Sequence, residues 1–209
     1  MDQTVAQGCR QGLISDKPEG VADATGLSAD GRSSYYAHKL QRSKGSTKGA
    51  SKSTRYPIRK WPKINAIADT YSHLFIAASV TEGPSHDSPE LPALLLQAAR
   101  RLTLDRLLAD AGYDSEEHHR LAREEHGIRS TVIALNKRNQ GQKWPKTKYR
   151  RQMRQCFHGV IYGNRWQIES IWSRHKRRLG WVLSSKSVKG QISECQNRIV
   201  IHNLMLLAA

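Results

Sequence analysis

Short apolar runs of strand length alternate with longer runs of helix length, in an order that few sheets can accommodate. Residues 63–69 and 73–80 are two strand-like runs joined by Asp69-Thr-Tyr-Ser72, a turn-forming sequence, so a β-hairpin is predicted. Residues 20–29 predict a third strand, antiparallel to the hairpin, with Val21, Asp23 and Thr25 on one face and a bend near Gly26 and Gly31. Ser88 and Pro89 then open a helix that runs to Leu102. Residues 104–110 form a buried strand whose carboxyl end delivers Asp110 into a turn. A second helix starts at Ser115-Glu-Glu and ends near Gly127. A strand over 130–135 follows, then helices over 162–176 and 191–207. The order β-β-β-α-β-α-β-α-α predicts an α/β fold. Its mixed sheet has helices on both faces, because parallel crossovers are right-handed.

The helix over 162–176 carries the densest chemistry. Glu169 is the only carboxylate between His126 and Ser193, an interval holding sixteen Lys and Arg residues. At about 100° per residue, Tyr162, Arg165, Glu169 and Lys176 share one edge. Ile161, Ile168, Ile171, Trp172 and Leu179 form the adjacent apolar stripe, predicted to lie on the core while the polar edge faces a cleft.

Charge narrows the partners. The net charge is +16 and the pI about 10.1, which favours a polyanion, most often nucleic acid. Residues 38–60 contain eight Lys/Arg and no acid, including Lys44 and Lys48, and read equally as a solvated loop or a phosphate-binding arm. Residues 136–158, with Lys137 and Arg138, are a second basic segment expected to be irregular. No apolar run is long enough to span a membrane, and no signal peptide is evident. Cys9, Cys156 and Cys195 form neither a disulfide framework nor a zinc pattern, which points to a reducing cytoplasm. Residues 1–19 show no period and are expected to be loosely ordered, leaving 20–209 as one domain.

Two adjacent central strands of such a sheet would bring Asp23 and Asp110 together. With Glu169 they make three carboxylates, which repel one another unless a cation sits among them, and Mg2+ or Mn2+ prefers such oxygen ligands. Two ions about 3.5–4 Å apart would clamp a phosphodiester. Arg165 and Lys176 would grip phosphate, and Tyr162 would donate to it or stack on a base. Ordinary alternatives stay open for each acid: an exposed strand acid for Asp23, a cap for Asp110, and an i−4 pair with Arg165 for Glu169. Asp69, Asp87 and Asp114 compete with them. His86, His118, His119 and His175 are expected at the surface or against phosphate rather than on a metal.

The spacing Tyr162-x2-Arg165-x3-Glu169-x6-Lys176 resembles the YREK motif of the DDE transposases encoded by bacterial insertion sequences. Leu108-Ala-Asp110-Ala-Gly-Tyr113 is similar to the segment around that family's second catalytic Asp, and Val21-Ala-Asp23-Ala-Thr25-Gly to its first-Asp strand. Gly83-Pro-x-His-Asp87 falls where the family has the loop after its second strand. The resemblance covers residues 20–207. It implies an RNase H-like core, two divalent metal ions, and Asp23, Asp110 and Glu169 as the catalytic and metal-holding triad. It also implies cut-and-paste transposition: nicking at transposon ends, then attack of a 3′-hydroxyl on target DNA. Tyr162, Arg165, Arg174 and Lys176 would contact double-stranded DNA, with Lys44, Lys48, Lys137 and Arg138 on the basic segments. The enzyme would act as a homodimer in a synaptic complex, in a bacterial cytoplasm at the nucleoid.

Two features set this sequence apart from that family. Only 22 residues precede Asp23, where relatives carry a helical DNA-binding region. Only 58 residues separate Asp110 from Glu169, too few for the β insertion of some relatives. The first feature suggests a truncated copy, or one half of a two-frame protein with an upstream DNA-binding polypeptide as partner. The alternatives to a transposase core are an inactive DNA-binding remnant and a metal-dependent nuclease of the same fold.

Overall fold

The computed structural model describes residues 1–29, 60–136 and 144–209. Its centre is a five-stranded sheet of β1 (Glu19–Gly26), β2 (Trp61–Asp69), β3 (Phe75–Gly83), β4 (Arg106–Ala109) and β5 (Ser130–Ile133), in the order β3-β2-β1-β4-β5. β1, β2 and β3 are antiparallel neighbours, whereas β1, β4 and β5 run parallel. The mixed sheet expected from the sequence is therefore present. The turn at 69–72 forms because Asp69 Oδ2 accepts from both the backbone N–H and the hydroxyl of Ser72, at 2.7 Å each.

The described helices are α1 (Asp2–Arg10), α2 (Leu91–Ala99), α3 (Glu116–Arg120), α4 (Lys148–Gln155), α5 (Gly159–Gly163), α6 (Gln167–Leu179) and α7 (Val188–Leu207). They cover both faces of the sheet. On one face Leu91, Leu94, Leu95 and Ala98 of α2 pack with Ala22, Ile67, Leu107 and Tyr113. On the other, Ile168, Ile171 and Trp172 of α6 and Ile199 of α7 pack with Val21, Ile64, Phe75 and Leu108. Alternate residues of the central strands thus serve two cores, which is why β2 is buried along most of its length. Among the described residues no helix is long and apolar enough to cross a membrane.

Three expectations need correction. Residues 2–10 are helical rather than loose. Val5 of α1 packs with Ile14 and Leu74, and Leu206 and Leu207 of α7 lie against that cluster. Only one strongly apolar residue of α1 is buried, so its stability comes from tertiary contact and leaves little period to read. Within 136–158, residues 148–155 are a helix, not irregular chain. Glu116 accepts from the backbone N–H groups of Tyr149 and Arg150, capping α4 across the fold. The single helix expected over 162–176 is three pieces: α5, a 3-10 turn at Asn164–Trp166, and α6.

Candidate active site

The parallel pairing of β1 with β4 ends at Ala22 opposite Ala109, and the next residue on each strand is an aspartate. Asp23 and Asp110 therefore follow the same final pair, side by side on two neighbouring central strands. Asp23 lies mid-strand, because β1 continues its antiparallel pairing with β2, Asp23 opposite Ala66. Asp110 lies where β4 stops. Its Oδ1 accepts the Gly112 N–H at 2.8 Å and turns the chain into a 3-10 turn. Gly112 suits that approach, since a Cβ there would stand 2.9 Å from Asp110 Oδ1.

α6 crosses this pair. Trp172 Nε1 donates to Asp23 Oδ2 at 3.2 Å, so a residue read from the sequence only as core also touches the site. Burial pushes the Asp23 carboxyl up to about 6, and the neighbouring Asp110 adds to the rise, while the Ala24 N–H, Arg165 and Trp172 oppose it. Lys176 lies one turn beyond Trp172. Burial lowers its ammonium, and the Asp23 charge works the other way. The Tyr162 hydroxyl is raised by burial, with Arg165 and Asp110 both acting on it. The charges of Arg165 and Lys176 thus act on Asp23, and that of Asp110 on Tyr162, even though a 3-10 turn interrupts the helix that was to align the three.

The other expected site residues are placed differently. Glu169 is mostly exposed and accepts from Arg165 Nη2 at 3.1 Å, the i,i+4 ion pair that the sequence left open. Arg174 is placed on another side of α6, where its charge acts on His73 and His202. Lys44, Lys48, Lys137 and Arg138 lie outside the described residues.

Residues 14–206 match the family model described as the transposase DDE domain. The chain belongs to the DDE transposase family. That span takes in every described strand and both aspartates. The RNase H-like expectation agrees with the mixed sheet and flanking helices. No curated protein matches the chain. Transposases of this family act on DNA by cutting and transferring phosphodiester bonds, and they generally use divalent metal ions.

Within the transposase, each acid that competed with Asp23 and Asp110 has a structural partner. Asp69 holds the hairpin turn. Asp87 pairs with Lys63. The fully buried Asp114 side chain receives both Nε and Nη2 of Arg150 at 2.8 Å. The histidine expectation is corrected in three places, since His118, His119 and His175 are buried, with His86 exposed. His118 Nδ1 meets the Tyr113 carbonyl, and His119 Nδ1 meets Thr131 Oγ1. His175 packs among Phe75, Trp172 and His202. Helical spacing carried the clue, because His175 lies i+4 from Ile171 on the apolar side.

Among the described residues no group of three or more His, Cys, Asp or Glu side chains is gathered closely enough to hold a metal ion. The pair Asp23–Asp110 nonetheless fits a hard divalent cation. Two neighbouring carboxylates, one of them driven toward its neutral form by burial, are a donor set that such a charge would restore to the ionised state. Glu169 is engaged by Arg165 through Oε1 alone.

Proposed function

We propose that this transposase cuts and joins DNA strands at the Asp23–Asp110 site, in cut-and-paste transposition. The supporting observation is that Asp23 and Asp110 each follow the last paired residue of two neighbouring parallel strands, with the charges of Arg165 and Lys176 acting on Asp23. Asp23, Asp110 and Glu169 are the residues that would hold two divalent ions, Mg2+ or Mn2+. When bound, such ions supply positive charge to the phosphodiester and lower the pKa of an attacking water. Arg165 grips a phosphate oxygen through its planar fork, and Lys176 places a point charge beside it. Trp172 fixes the Asp23 carboxylate by its indole N–H. The Tyr162 hydroxyl donates to the phosphate next to the cut.

In the first reaction water attacks the phosphorus and the 3′-oxygen leaves, giving a free 3′-hydroxyl and a 5′-phosphate. In the second that 3′-hydroxyl attacks a target phosphodiester and displaces the target's own 3′-oxygen. A homodimer that holds two transposon ends, and an upstream DNA-binding polypeptide that recognises them, belong to the same proposal.

The test is nicking of supercoiled plasmid with Mg2+ or Mn2+, alongside gel-shift binding. Asp110→Asn should abolish nicking and leave DNA binding equal or tighter, because a charge that repels phosphate is gone. Nicking that survives in Asp110→Asn would overturn the site assignment. Binding without nicking by the unaltered chain would favour the inactive remnant.

A further inference from the structure

The carboxyl end of β1 leads from Asp23 to an open cavity of about 370 Å3, lined by Gly26, Leu27, Ser28, Lys60, Trp61 and Trp181. Both tryptophans are held in place. The Trp61 indole lies against the ends of the two strands flanking β2. A Cβ on Gly26 of β1 or Gly83 of β3 would come within 2.8 or 2.5 Å of its Nε1. Trp181 follows Gly180, whose φ of +84° ends α6 and turns the chain back toward the sheet.

Backbone bonds then pin Trp181. Ser28 N–H donates to the Trp181 carbonyl at 2.9 Å, and Leu183 N–H donates to the Ser28 carbonyl at 2.8 Å. Arg198 donates to the carbonyls of Gly180 and Val182, at 2.7 Å each. Glu194 accepts from the N–H groups of Ser184 and Ser185. A segment tied down so thoroughly leaves Trp181 52% exposed. An exposed apolar ring on a backbone already fixed is disposed to bind a flat partner, since the cost of ordering that backbone is met by the fold.

Resting on the catalytic reading above, we propose that the Trp61–Trp181 cavity is a stacking subsite for an unpaired nucleobase of the bound DNA strand. Gly26 lies three residue steps beyond Asp23 along β1, about 10 Å at strand rise. Stacked nucleotides advance about 3.4 Å each, so the captured base lies within about three positions of the cut. Lys60 stands at the rim, in an exposed pair with Glu82 at 2.6 Å, and a backbone phosphate can take the place of that carboxylate. Stacking accepts any base, so the subsite holds a strand open without reading its sequence.

The experiment uses the full chain without metal and a single-stranded oligodeoxynucleotide carrying 2-aminopurine. A matched oligomer has abasic sites in place of its bases. The unaltered protein should quench the 2-aminopurine and bind the base-bearing strand about tenfold more tightly than the abasic one. Trp181→Ala should lose the quenching and the tenfold preference, keep its affinity for the abasic strand, and melt within a few degrees of the parent. Trp181→Phe should restore part of the preference. Equal affinity of the unaltered protein for both strands, or an unchanged preference in Trp181→Ala, would overturn the subsite. Asp110→Asn separates the two proposals, because it should lose nicking and keep the quenching. If the unaltered chain quenches but does not nick, the catalytic reading fails and the subsite stands.

Discussion

Asp23 is the carboxylate that this fold accommodates least well, and its replacement by asparagine gives a quantitative test. Asparagine keeps the shape and an oxygen that can accept the Trp172 Nε1 proton, but removes the charge. The Asp23 carboxyl goes from an ordinary 3.8 to about 6 in the fold. At about 1.4 kcal/mol per pKa unit, folding with Asp23 ionised costs at most about 3 kcal/mol. Water reaching the site lowers this, so Asp23→Asn should stabilise the metal-free protein by about 1–3 kcal/mol at about pH 8.

The sign follows from which state holds the proton. Below the unfolded value of 3.8 both states are protonated and the charge costs nothing. As pH rises from there through about 6, the unfolded chain ionises first, and the penalty on the fold grows until it is complete above the folded value. Wild type and Asp23→Asn should therefore melt nearly together at about pH 3.5, draw apart as pH rises, and be fully separated above about pH 6. For a chain of this length the gap should be roughly 3–10 °C. Thermal unfolding followed by circular dichroism in EDTA measures it. Added Mg2+ should raise the melting temperature of wild type more than that of the variant. Equal melting temperatures at high pH would refute the claim that burial and Asp110 strain this carboxylate.

Three further outcomes are expected. Glu169→Gln should change stability by less than about 0.5 kcal/mol, because it removes only an exposed i,i+4 pair, yet it should abolish plasmid nicking; retained nicking would take Glu169 out of the site. Asp114→Ala should cost about 3–5 kcal/mol in urea unfolding by stranding Arg150, with nicking per folded molecule unchanged; a loss below 1 kcal/mol would show, on the order of such effects, that α4 is not held by this pair. Burial depresses His119, His175 and His202 to about 4, so the unfolded state takes up protons first as pH falls below the ordinary value of 6.5. Stability should fall by roughly 2 kcal/mol per buried histidine between about pH 7 and pH 5, and His175→Leu should flatten that dependence by one such step. An unchanged pH slope in His175→Leu would refute the assignment.

The sheet was readable because its strands combine apolar runs with turn chemistry that acts locally. Asp69 and Ser72 close the hairpin within four residues, and Asp110 ends β4 by capping its own turn. What could not be read depends on partners far away in the chain. The α1 helix is short and polar and rests on α7. The α4 helix is capped by Glu116, more than thirty residues earlier. The wheel used for 162–176 assumed one helical pitch throughout, and the 3-10 turn at Asn164–Trp166 breaks that assumption.

By itself the sequence determined the strands and their order, most of the helices on the sheet, and the acids worth weighing. Those follow from nearest-neighbour chemistry and periodicity, which act along the chain. Only the tertiary structure decided which acids are spoken for. Asp69, Asp87 and Asp114 are bound into turns and ion pairs, whereas strand register sets Asp23 beside Asp110 under Trp172 and Lys176. It also showed Glu169 turned toward Arg165. The charge state of a carboxylate depends on burial and on charges brought near by folding, and neither is written in the order of residues.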